Sequence, residues 1–204
     1  MSAASLPPLP LILASVSRWR RDMLDAAGLD ITVSPSGVDE DALKESMPVD
    51  APKEDLPLLL ADYKARQVCP RFVNHLVIAA DQVLSCDGRR YDKPPDRPAA
   101  RAQLQALRGK SHDLVTAAVI YRDGQRLWHT VDTVTLTMRN FSDDFLDIYL
   151  DAECPDIFDT VGGYRLEGPG VQLFSQVKGD YFTILGLPLL KILAFLRQRG
   201  DLQT

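Results

Sequence analysis

The sequence predicts an α/β fold, a mixed twisted sheet flanked by helices, and three observations predict it. Short apolar runs alternate along the chain with stretches of helical periodicity. The run LVIAADQVLSC at 76–86 is a strong strand signal in mid-chain. Two Asp-Gly pairs, Asp87-Gly88 and Asp123-Gly124, follow strand-like runs as hairpin turns do, so part of the sheet is antiparallel. The length of 204 residues suits one domain over 1–204. At 46% apolar residues the chain can bury a real core.

In chain order, LILA at 11–14 reads as a short buried strand closed by Ser15 and Ser17. Trp19, Met23, Leu24 and Ala27 then mark a helical stripe that ends at Gly28. Residues 29–34 read as a second strand, and 35–52 as a polar, acidic connection of a length associated with function or mobility. A helix is expected over 53–69 with Pro57 in its first turn. The central strand 75–86 is followed by a polar loop carrying Lys93-Pro94-Pro95 and a helix over 98–107. Strands 112–122 and 126–138 form a hairpin. Ser142 caps a helix to Leu150, with Asp143 and Asp144 in its first turn. Residues 155–181 read as irregular and glycine-rich, and Gly186-Leu187-Pro188 opens a last helix halted by Gly200.

Composition excludes several classes. With 28 acidic and 23 basic side chains the net charge is −5, which argues against general electrostatic binding of nucleic acid or anionic lipid. Cys69, Cys86 and Cys154 are odd in number and contain no CxxC pair, so a disulfide framework or a cysteine zinc site is not expected. No apolar stretch reaches the roughly 18 residues of a membrane span. The arginines near the N-terminus follow the apolar run, the wrong polarity for a secretory signal. A soluble protein of the reducing cytoplasm is the expectation.

Four groups of residues could carry chemistry. Ser15, Ser17, Arg18, Arg20 and Arg21 gather at the start of the first helix, where free N–H groups, hydroxyls and guanidinium groups suit a phosphate; a solvated basic patch is the plainer reading. Asp81 interrupts an apolar strand and shares a face with Val77, Ala79 and Val83, so its carboxylate needs a lysine, a metal or several hydrogen bonds unless that face opens to water. Asp39-Glu40-Asp41 offers hard oxygen ligands for Mg²⁺ or Mn²⁺, and Lys64 and Lys93 are candidate phosphate contacts, although acids and lysines in such places are commonly just solvated. The segment GGYRLEGPG at 162–170 allows close backbone approach to a ligand or is a plain connection. His75, His112 and His129 show no metal spacing and read as structural or surface residues.

Taken in order, these segments resemble the Maf family of nucleoside triphosphate pyrophosphatases. The resemblance runs from about Leu11 to Gly200, through LILASVSRWRRDMLDAAG at 11–28, Val38-Asp39-Glu40, Lys64-Ala65 and VIAADQV at 77–83. It continues through Lys93-Pro94, LRGKSHDLVTA at 107–117, GGYRLEGPG at 162–170 and GDYFTILGLPL at 179–189. It implies two lobes around a nucleotide-binding cleft and hydrolysis between the α and β phosphorus atoms, giving a monophosphate and pyrophosphate. It also implies a divalent cation, Mg²⁺ or Mn²⁺, at Glu40 and Asp81, with Arg20, Lys64 and Lys93 on the phosphates, and it allows a homodimer. Asp81 would act on the attacking water; a carboxylate beside cations keeps a low pKa, so it orients water rather than serving as a strong base.

Within the family, the 7-methyl-GTP subgroup typically has tryptophan, glutamine and glutamate where this chain has Trp19, Gln82 and Glu167. A cationic 7-methylguanine can stack on an indole, and a carboxylate can accept two guanine N–H groups where uracil and thymine offer one. Trp19 also falls on its own helix's apolar stripe, which is a core position. Three residues depart from the family pattern: Arg18 in place of proline, Asp92 in place of glycine and Thr183 in place of asparagine. The alternatives are a dTTP/UTP or broad-range pyrophosphatase, and a nucleotide-binding regulator of cell division or septum formation without turnover.

Overall fold

The computed structural model describes residues 8–48 and 51–203; residues 49 and 50 of the expected 35–52 connection lie outside them. Leu11–Leu13 (β1) leads into Arg18–Ala26 (α1), and Ile31–Val33 (β2) returns parallel to β1. Parallel neighbours need a crossover, and α1 supplies it. Glu40–Ser46 (α2) and Asp55–Val68 (α3) supply the next, ahead of Leu76–Cys86 (β3), which pairs parallel with the other side of β1. Asp87 and Gly88, with φ of 52° and 76°, turn the chain into Arg89–Tyr91 (β4), antiparallel to β3. Arg97–Leu107 (α4) precedes the long hairpin of Ser111–Arg122 (β5) and Gln125–Met138 (β6), whose turn is Asp123-Gly124. Asp143–Glu153 (α5), Phe174–Lys178 (β7), Tyr181–Ile184 (α6) and Leu189–Arg199 (α7) complete the chain. The seven strands form one open mixed sheet in the order β2-β1-β3-β5-β6-β7, with β4 on β3.

The chain divides into two compact units, each with its own core. The first comprises residues 1–81, 116–132 and 186–204 as far as these are described. Here Ile12, Ala14, Val77, Ala79, Ala117 and Val119 pack with Ala61, Ala65 and Val68 of α3. The second unit comprises 82–115 and 133–185. Its core joins Leu84, Leu114 and Leu136 of the sheet to Leu104 and Leu107 of α4 and Leu146 and Leu150 of α5. On the outer side of that packing, three carboxylates one helical turn apart on α5 meet two arginines of α4 and one at its C-terminal cap: Asp147 with Arg101, Asp151 with Arg97 and Asp143 with Arg108.

Two expected stretches of loop hold regular structure. The acidic connection contains α2, capped by the Asp39 carboxylate, which accepts from the Ala42 N–H at 3.1 Å. Its Glu40 and Asp41 lie in the first turn, where the helix dipole favours negative charge. The irregular segment 155–181 contains β7, which pairs antiparallel with β6.

Candidate active site

The first unit gathers six of the residues singled out above. Asp81 extends the β3 face that Val77 and Ala79 present to α3, and it is buried at 6% exposure. The buried stripe of α3 runs through Pro57, Ala61, Lys64, Ala65 and Val68, so Lys64 occupies a core position and is 6% exposed itself. A buried carboxylate and a buried ammonium are each costly alone. Here the Lys64 ammonium donates to the Asp81 carboxylate and lies 2.8 Å from Glu40 Oε1, at the N-terminus of α2. One cation therefore holds carboxylates from two elements, and the Glu40 side chain, 42% exposed, leads from the pair toward solvent.

Arg20 is fixed beside them. Ser17 caps α1 and accepts the Arg20 N–H at 3.5 Å, while its own N–H donates to Ser15 Oγ at 3.2 Å. The Arg20 guanidinium donates to Ser15 Oγ at 3.3 Å and to the Gly186 carbonyl at 2.8 Å. Gly186 has φ of 98°, a left-handed conformation that glycine adopts without strain, so the turn presents its carbonyl to the arginine. Burial pulls the Arg20 pKa down, opposed by the negative charges of Asp81 and Glu40. Arg21 turns instead to Asp22, at 2.9 Å. Two cations and two carboxylates thus balance in one place. Glu40 and Asp81 are a hard-oxygen donor pair, and no group of three His, Cys, Asp or Glu side chains is assembled among the described residues. That donor set fits Mg²⁺ or Mn²⁺ sharing phosphate oxygens of a substrate, and does not fit an all-protein cage.

Trp19, also in the first unit, is half-buried on α1, and the Arg18 guanidinium carbon sits 4.2 Å from its ring centre. The other three predicted residues belong to the second unit. Lys93 and Glu167 are exposed. The Gln82 amide donates to the carbonyls of Thr183 and Ile184 at 2.9 and 3.2 Å, and Thr183 in turn donates its N–H and hydroxyl to Asp180. Gln82 therefore holds the α6 turn.

The model of the Maf family, described as Maf-like protein, matches residues 10–199. The chain belongs to the Maf family. It is 49% identical over 195 residues to the nucleoside triphosphate pyrophosphatase of Granulibacter bethesdensis, covering 95% of this chain and 99% of that one. It is 50% identical over 192 residues to the protein of the same name from Paramagnetospirillum magneticum, covering 94% and 99%. Among solved structures, the nucleoside-triphosphatase (dITP/XTP pyrophosphatase) of Mycobacterium abscessus is 16% identical, with a TM-score of 0.43 and coverage of 94% and 96%.

One feature of this Maf chain was not singled out from sequence. Arg165, inside GGYRLEGPG, makes a two-pronged contact with Glu153 at 2.7 and 2.9 Å and reaches Asp156 at 3.2 Å. Glu153 is 4% exposed, so the glycine-rich segment is clamped to the end of α5 by a buried ion pair. Gly170 seats the same turn: a Cβ there would lie 2.2 Å from the Arg165 carbonyl oxygen. The signal available was an arginine at the centre of a glycine run together with a glutamate at a helix end.

Proposed function

We propose that this Maf protein is a nucleoside triphosphate pyrophosphatase that cleaves the α–β bond, with 7-methyl-GTP as its preferred substrate. The observation that carries the reaction is the meeting of Arg20, Lys64, Glu40 and Asp81 in a chain that is half identical to proteins named for that activity. Arg20 and Lys64 bind triphosphate oxygens, with Ser15 and Ser17 fixing the arginine and the helix start. Asp81 accepts a hydrogen bond from the attacking water and points its oxygen at the α phosphorus. The new bond joins that oxygen to the α phosphorus; the bond to the bridging oxygen breaks, pyrophosphate leaves with the electron pair, and the water's proton passes by way of the Asp81 carboxylate to solvent. Charge growing on the phosphoryl oxygens is met by Arg20 and Lys64, both already seated on the bound triphosphate when the bond breaks. A divalent cation held by Glu40 and Asp81 with substrate oxygens adds charge neutralisation when bound. Lys93 is assigned to the phosphates by its sequence motif, Lys93-Pro94, alone.

The base assignment rests on Trp19, Gln82 and Glu167 occurring together in the sequence. A product-resolved panel of 7-methyl-GTP, GTP, UTP and dTTP with Mg²⁺ or Mn²⁺ tests both parts. The expected products are the monophosphate and pyrophosphate, with the highest kcat/KM on 7-methyl-GTP and a lowered preference in Glu167→Gln. Orthophosphate release refutes the bond assignment, and faster UTP turnover refutes the base assignment alone. Asp81→Asn is expected to lose turnover while retaining nucleotide binding.

A further inference from the structure

Lys64 already neutralises the two carboxylates that would hold a metal ion. Its ammonium contacts Asp81 and lies 2.8 Å from Glu40, with a side chain only 8% exposed. Asp81 and Glu40 bring two negative charges, and Lys64 and Arg20 bring two positive ones. A divalent cation arriving alone meets two fixed cations at short range in a partly desolvated place, where repulsion is strong. A triphosphate, carrying about four negative charges, reverses that balance and offers Lys64 new acceptors.

We propose that Lys64 is a resident cation that keeps the Glu40–Asp81 pair closed to divalent metal until a triphosphate draws the ammonium away. Metal and triphosphate then bind with strong positive coupling, and free metal does not load the protein. The idea deepens the pyrophosphatase reading and rests on it for the identity of the anion.

The test titrates Mn²⁺ alone into nucleotide-free protein, with unbound Mn²⁺ read by electron paramagnetic resonance. Wild type is expected to bind weakly, and Lys64→Met at least about tenfold more tightly, because a repelling charge is gone. Lys64→Arg keeps the charge and stays weak. The double variant Lys64→Met with Glu40→Gln loses the gain. Heat unfolding with and without Mn²⁺ should show the larger upward shift in Lys64→Met. Equal or weaker Mn²⁺ binding in Lys64→Met overturns the proposal. A second overturning result needs no Lys64 variant: nucleotide-free wild type that binds Mn²⁺ tightly and is weakened by Glu40→Gln on the half-exposed α2. None of these readings uses turnover, so an absent pyrophosphate product would sink the functional reading and leave the metal result standing.

Discussion

His112 is expected to make this fold sensitive to mild acid. The ring is 2% exposed in the second unit, with Nε2 2.8 Å from the Tyr164 hydroxyl and the rings of Tyr164 and Phe174 packed around it. Its other nitrogen, Nδ1, has no hydrogen-bond partner among the described residues. Burial pushes the His112 pKa down from 6.5 to about 4, with Asp113 opposing weakly. Burial also holds the Tyr164 phenol protonated, so it can donate to a neutral imidazole. The unfolded chain takes up its proton near pH 6.5 and the folded chain only near pH 4. His112 therefore contributes its full stability above pH 6.5 and loses it as pH falls toward 4. The gap corresponds to about 3 kcal/mol, of which about 2 kcal/mol is gone by about pH 5. Urea unfolding of wild type and His112→Gln at about pH 7.5 and pH 5 measures this, since the glutamine amide reaches the Nε2 position that pairs with Tyr164 but does not titrate there. Wild type should lose about 2 kcal/mol more than the variant between those two conditions. Equal losses in the two proteins would refute the reasoning.

Three further outcomes are expected. Gly170→Ala should lower stability by about 2 kcal/mol or more in thermal unfolding, because its Cβ cannot stay 2.2 Å from the Arg165 carbonyl without moving backbone. Arg165→Met should cost about 3–5 kcal/mol in urea unfolding, since it strands the buried Glu153 charge. Arg18→Ala should raise the ratio of kcat/KM for 7-methyl-GTP over GTP by about two- to fivefold, because the guanidinium 4.2 Å from the Trp19 ring competes with a cationic base for the indole. An unchanged ratio counts against Trp19 as the base platform.

What the sequence discloses follows from how strongly each element's pattern depends on its own residues. The hairpin turns were legible because Asp-Gly supplies two positive φ residues by itself. β3 was legible because its burial is continuous from Leu76 to Asp81. α2 buries none of its residues, so no apolar stripe announces it, although Asp39 followed by Glu40 and Asp41 is a start signal. β7 is exposed along Ser175–Lys178 and joins the sheet at its end, so alternation does not mark it. At the site, Asp81 stood out as a charge in an apolar run, whereas Lys64 was singled out as a candidate phosphate contact and not as the buried partner of Asp81. Lys64 reads as a surface lysine until it is counted along α3, where it falls on the Pro57, Ala61, Val68 stripe. The clamp of Arg165 by Glu153 joins residues twelve apart across a loop whose path no local rule specifies.

The reaction itself is tested most directly by running one turnover in ¹⁸O-enriched water with 7-methyl-GTP or, failing turnover, GTP, and locating the label by mass spectrometry. The proposed attack of water on the α phosphorus predicts one labelled oxygen in the nucleoside monophosphate and none in the pyrophosphate. Label in pyrophosphate, or in released orthophosphate, would contradict it.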